Sequence, residues 1–262
     1  MHTQRLALLL LLPGCLVLEV HRGNGVSATE ERAVGAFDGV SNEIGLDVRV
    51  TLGEVPSVRV TCDENLLADL ITEVEDGVLV VHTRQDGWSS ANLLPQVDCV
   101  VDVAASALTS LSTSGSGDLT VAGEVPQALS DISSSGSGDI LVSAPIEVDR
   151  LDAGSSGSGL ITLGAVDAHQ VHLSSSGSGD VAVGEGAAVG LDLDSSGSGD
   201  LLARGLLAEE VQVWLSGSGD AEATATVAVR GGLSGSGDLT VWGAPAERDV
   251  QTSGSGDVRY AE

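Results

Sequence analysis

Seven aspartates recur through the second half of the sequence at nearly constant spacing: Asp118, Asp139, Asp180, Asp200, Asp220, Asp238 and Asp257. Leu160 stands where one more would fall. Carboxylates arranged in a column are the raw material of a calcium ladder, because hard cations gather several oxygen ligands. Stacked at the roughly 4.8 Å spacing of adjacent strands, they would also repel one another. The competing role is local: each Asp bonds turn amides at its own corner and faces solvent. The turn role is the expectation. Leu160 shows that the column tolerates a gap, and calcium β-rolls use a shorter repeat, of about nine residues, with a different Gly-Asp pattern. Calcium on these seven residues is the one cofactor the sequence suggests.

Other chemistry is sparse. Cys62 and Cys99 are either a disulfide between two strands or a pair of buried thiols, and they are too few and too far apart for a zinc site. The histidines are His2, His21, His82, His169 and His172. A spacing of three puts His169 and His172 on opposite faces of a strand, which argues against a shared metal. Gly-Ser-Gly resembles a phosphate loop but occurs eight times and opens no helix. Parallel β-helices include polysaccharide lyases, which keeps a lyase-like enzyme in view by fold analogy alone. Yet Lys is absent and Arg150, Arg204 and Arg230 are isolated. No catalytic residue is assigned.

The elements that must hold these residues follow from the repeat. Gly-Ser-Gly begins at Gly115, Gly136, Gly157, Gly177, Gly197, Gly217, Gly235 and Gly254, at intervals of 18 to 21 residues. A period of about 20 marks a solenoid. Four positions after each first Gly stand Leu119, Ile140, Ile161, Val181, Leu201, Ala221, Leu239 and Val258, alternating with polar neighbours. Period two means strand. Each coil, roughly 66 Å around at about 3.3 Å per residue, suits two or three short faces and a core one side chain deep. The glycines are expected to supply positive φ or a tight bend at the corner. A further column, Thr113, Ser134, Ser155, Ser175 and Ser195, needs hydrogen-bond partners if it points inward. Trp214 and Trp242 fall outside the apolar columns, either exposed on the outer face or packed at the solenoid's edge.

The chain has 262 residues, 42% of them hydrophobic but only 2% aromatic, which fits a narrow aliphatic core. Thirty-eight acidic residues face eleven basic ones, all Arg, for a net charge of −27. Such a surface repels phosphate backbones and excludes nucleic acid as a partner. Residues 1–14 read as a signal peptide, and Leu12-Pro13-Gly14-Cys15 resembles a lipobox, which would make Cys15 the site of lipid attachment and of contact with the membrane. Val26-Ser27-Ala28 offers another cleavage site. Residues 15–32 read as a tether, 33–107 as a β-rich start that covers the apolar end of the array, and 108–262 as the repeat solenoid. Within the start, Val48–Leu52, Ser57–Thr61, Val78–Val81 and Val97–Val103 read as strands, Asn65–Ile71 as a helical turn, and Asp86–Pro95 as a loop.

Phe37-Asp38-Gly39-Val40, Cys62-Asp63-Glu64-Asn65-Leu66-Leu67, Glu75-Asp76-Gly77-Val78-Leu79 and the serial Ser-Gly-Ser-Gly-Asp strings together resemble the putative auto-transporter adhesin, head GIN domain family. The resemblance runs from about Ala33 to Tyr260, although no literal Gly-Ile-Asn occurs. It implies an all-β, right-handed parallel β-helix-like fold on an exported bacterial protein. The function expected is non-catalytic: an exported cell-envelope protein presenting a rigid solenoid surface to glycan or protein partners. The alternative is a structural envelope protein stabilised by calcium on the Asp column.

Overall fold

The computed structural model describes residues 21–53, 55–84, 93–123 and 128–261. Cys15, the leader and Trp88 lie outside them. The chain is all-β, a solenoid whose parallel bridges lie about 20 residues apart. Ile161–Ser175 shows the plan of one coil. It pairs in register with Val181–Ser195 through Ile161–Leu163, Ala165–Ala168 and Gln170–Ser175. The lapses at Gly164 and His169 divide the coil into three faces, and the Ser-Gly-Ser-Gly turn closes it.

The alternation read from sequence sets what is inside. Ile161, Leu163, Val166, Val171 and Leu173 are buried; all but Val166 stack on apolar equivalents in the coils above and below, and Val166 stacks on Ile146 beneath Gly186. At about 25 cal/mol per Å2 of apolar surface removed from water, these aliphatic ladders supply the main stabilisation. The inner serines meet the requirement that buried hydroxyls be bonded. Ser134, Ser155, Ser175 and Ser195 donate through Oγ to the carbonyls of Gly138, Gly159, Gly179 and Gly199, at 3.3, 3.1, 2.9 and 3.4 Å. Each bond spans the base of its own turn. Asn42 takes this place in the first coil of the sequence, donating through Nδ2 to the carbonyls of Leu46 and Gly117.

The turn glycines are explained by stacking, and here the expectation of positive φ is corrected. No Gly of a Gly-Ser-Gly core has positive φ. A Cβ added at Gly177 or Gly179 would fall 2.1 or 2.2 Å from the carbonyl oxygen of Gly157 or Gly159 in the coil below. Only a residue without Cβ lets successive turns approach this closely.

The start of the array is threaded out of order. Gly39–Asn42 lies between Ser110–Thr113 and Val78–Thr83, parallel to both. Asp47–Leu52 lies in the same way between Leu119–Ala122 and Val100–Ala105. The chain therefore lays down its second rung first, then loops back to build the rung beneath it. Antiparallel strands cover that end: Leu70–Glu75 on Val78–Thr83, and Ser57–Asp63 on Val100–Ala105. Leu67–Asp69 is a single 3-10 turn before Leu70–Glu75, a strand that the sequence reading missed.

The tether expectation also needs correction. Ser27–Arg32, within the 15–32 segment, is a strand paired antiparallel with Ser57–Asp63. Its sequence, Ser-Ala-Thr-Glu-Glu-Arg, is polar on both faces, so it carries no apolar period; backbone pairing and polar contacts hold it instead. Arg59 bridges Glu31 at 2.7 Å, and Thr29 shares a 2.9 Å hydroxyl bond with Thr61. At the other end, Glu247–Thr252 and Val258–Ala261 form the last rung. The charged Glu247, Arg248, Asp249 and Arg259 along it discourage further strand pairing.

Candidate functional site

The Asp column is a stitch between coils. Oδ1 of Asp118 accepts the amide of Asp139 at 2.9 Å, and Oδ1 of Asp139 accepts that of Leu160 at 2.8 Å. After the gap the series resumes, with Asp180 accepting from Asp200, Asp200 from Asp220, Asp220 from Asp238 and Asp238 from Asp257, at 2.7 to 2.9 Å. Asp47 extends it downward by accepting the Asp118 amide at 3.2 Å. Sequence could not find Asp47, because it precedes the repeats and joins the column only through the out-of-order threading. One oxygen of each of these carboxylates, except that of the terminal Asp257, is thus engaged by backbone. The expected turn role is thus corrected in its partner: each of these repeat carboxylates accepts an amide of the neighbouring coil, 18 to 21 residues on, and not one of its own turn.

Among the described residues, the three metal-capable side chains whose ligand atoms cluster are Cys62, Asp63 and Cys99. They are otherwise occupied. Cys62 and Cys99 are joined as a disulfide with Cα atoms 4.3 Å apart. Asp63 is fully buried; its Oδ1 accepts the Gly25 amide at 2.6 Å, and its Oδ2 accepts those of Gln96 and Val97 at 2.8 and 3.2 Å. Burial pushes this carboxyl's pKa up, but the amides of Gln96, Gly25 and Val97 outweigh it and leave the pKa below the ordinary value. A bonded disulfide and a saturated carboxylate tie two loops together and offer no open ligand position. Among the described residues the histidines join no metal-capable cluster: His82 bonds Glu73 at 2.7 Å, while His172 lies 3.6 Å from Asp194 on the outer face.

What the structure adds is a trough. On the outer side of the third face, a cavity of about 1120 Å3 runs along the solenoid beside the serine corner. Register sets its floor, rung by rung: Ser133, Gly154, Ser174, Asp194, Trp214, Gly232 and Gln251. Those residues are six steps apart end to end, roughly 29 Å at the inter-strand spacing of about 4.8 Å. One wall carries the corner serines, among them Ser135, Ser156, Ser176 and Ser196. Trp214 is 58% exposed, although most apolar side chains here are buried. Its ring lies against the next rung, where a Cβ at Gly232 would meet Cζ3 at 3.1 Å and Cε3 at 3.4 Å. Trp242 differs: it is half-buried, with the Arg204 guanidinium 3.6 Å over its ring. Sequence marked both tryptophans as outside the apolar columns. Which one is open, and that a glycine seats it, depends on register.

Arg230 is the basic group of the trough and is held by carboxylates, Glu247 at 2.5 Å and Glu210 at 3.3 Å. The hydrogen bond and charge of Glu247 raise the Arg230 pKa further, and Arg230 in turn lowers that of Glu247. The trough therefore presents hydroxyls, amides, carboxylates and one indole, with no free cation among its described residues.

A stack of short parallel rungs with an open polar face and a covered start defines the chain as a β-solenoid. It belongs to the family described as putative auto-transporter adhesin, head GIN domain, whose model matches residues 36–245. Solved structures share the fold. A putative lipid binding protein from Parabacteroides distasonis is 26% identical, with a TM-score of 0.83 over 92% of this chain and 99% of that one. A putative adhesin from Parabacteroides merdae is 22% identical, with a TM-score of 0.85 over 93% of this chain and 100% of that one. A putative adhesin from Bacteroides fragilis, 19% identical with a TM-score of 0.69 over 92% of this chain and 100% of that one, shares the fold. No curated protein matches the chain.

Proposed function

We propose that the protein is a non-catalytic binding module of the bacterial cell envelope, exported and held to the membrane by a lipid on Cys15. The observation that carries this reading is the open trough on a rigid, regularly repeating array in a member of an adhesin family. Repeated equivalent rungs suit many weak contacts whose avidity multiplies along a polymeric partner, glycan or protein. The carboxylates along the solenoid corner act as coil-to-coil acceptors, which needs no calcium.

Attachment of whole cells tests this. Cells lacking the protein should attach less well than the parent to surfaces coated with glycans or matrix proteins. Cells carrying Cys15→Ser should release the protein and show the same loss. A deletion strain that attaches as well as its parent to every coating would overturn the binding role.

A further inference from the structure

We infer that the trough is a site for a linear, uncharged polysaccharide, with Trp214 as the stacking platform for one sugar ring. This rests on the binding-module reading above and goes beyond it by naming the site and the ligand chemistry.

Four observations converge. The first is shape: the trough follows the solenoid axis across the rungs from Ser133 to Gln251, so it fits an extended polymer rather than a compact molecule. The second is pitch. A pyranose ring in an extended chain advances about as far as one rung, roughly 4.8 Å, so successive sugars meet successive corner serines while the floor side chain changes from rung to rung.

The third is the lining. Sugars offer both donors and acceptors at their hydroxyls, and the trough answers with serine hydroxyls, which do both, with the amide of Gln212, and with the carboxylate acceptors Asp194 and Asp249. The apolar face of a pyranose needs a flat apolar partner, and Trp214 is the exposed aromatic within the trough. Gly232 makes room for the ring to lie across the next rung, because any side chain there would press on Cζ3 and Cε3.

The fourth is charge. The chain carries a net charge of −27, and Arg230 is already paired with Glu210 and Glu247. A polyanionic glycan or an anionic lipid surface would be repelled. An uncharged chain would not.

The test is tryptophan fluorescence and calorimetric titration of the purified protein with neutral linear hexasaccharides of β-glucan, mannan and xylan type. Alginate and anionic phospholipid vesicles serve as the charged probes. Saturable binding of at least one neutral oligosaccharide is expected, with weakening of about tenfold or more in Trp214→Ala. Gly232→Val, which displaces the ring, should weaken binding to a similar degree. Circular dichroism and melting curves matching the parent would show that both variants fold. Leu207→Ser, at an exposed apolar position outside the trough, should bind as the parent does.

Neutral binding that is indifferent to both trough variants would leave the binding module standing and sink the trough assignment. Binding of alginate or vesicles in place of neutral chains would overturn the ligand class. Binding of no probe, in a protein that still promotes attachment of cells to protein coatings, would overturn the inference while sparing the broader function.

Discussion

The amide of Asp200 donates to Oδ1 of Asp180 in the coil below at 2.8 Å, while the Val181 amide donates to the Asp200 carbonyl at 2.9 Å. The same five-residue string thus closes its own coil and fastens the next one. That double use explains why Ser-Gly-Ser-Gly-Asp recurs while the residues between copies vary.

Asp180→Asn keeps an acceptor oxygen and removes one charge from a strongly acidic chain, so its stability should stay close to the parent's. Asp180→Ala loses the bond to the Asp200 amide and should cost about 0.5–1.5 kcal/mol. Melting temperatures with calcium and with chelator should coincide for the parent and both variants. A calcium-dependent rise in the parent that Asp180→Asn abolishes would restore the cation ladder.

Leu160 interrupts the stitch and offers no side-chain acceptor to the Asp180 amide. Leu160→Asn should close the gap without adding charge, raising stability by up to about 1 kcal/mol in denaturant unfolding. A loss of stability would show that the exposed Leu160 contributes more by packing than an acceptor would by bonding the Asp180 amide.

Gly177→Ala places a methyl 2.1 Å from the Gly157 carbonyl oxygen, whereas Gly35→Ala meets nothing within 4 Å. The first should destabilise by about 1–3 kcal/mol or more by forcing two coils apart, and the second should be near neutral. Equal melting curves for the two would contradict the close-approach explanation of the repeat glycines.

Ile161 lies at the centre of an aliphatic ladder and is fully buried. Ile161→Ala should cost about 2–5 kcal/mol, and Ile161→Asp should prevent folding by burying a charge in a core one side chain deep. An unchanged melting curve for either variant would refute the inward assignment of that column.

Asp63 links stability to pH. Its folded pKa is lowered from 3.8, so its contribution is complete above that unfolded value and is lost as pH falls through the lower, folded one. The melting-temperature gap between the parent and Asp63→Asn should therefore be widest near neutrality and narrow below about pH 4. A gap independent of pH would mean that the charge on Asp63 does not matter to the loops it holds.

The repeat, the strand period and the apolar columns were legible because one coil's constraints are written out again in each copy. The inward serines were legible as a column, but not their partners, since the bond to the residue four positions on depends on how the turn curls. The Ser27–Arg32 strand left no signal, because it has no apolar period and is held by backbone pairing and polar side-chain contacts. The order of the first rungs, and with it the place of Asp47, depends on pairings between segments far apart in sequence. The trough was hidden for a related reason: Trp214 and Gly232 belong to different copies, and only register sets the ring on the glycine.

The most direct measurement combines binding and turnover in one experiment. The protein would be titrated with neutral and charged polysaccharides and with matrix proteins, while new reducing ends and unsaturated products are assayed in the same samples. Saturable binding with no product, unaffected by calcium, is the expected result. Product release that grows with time, or no saturable binding to any partner, would contradict a non-catalytic binding module.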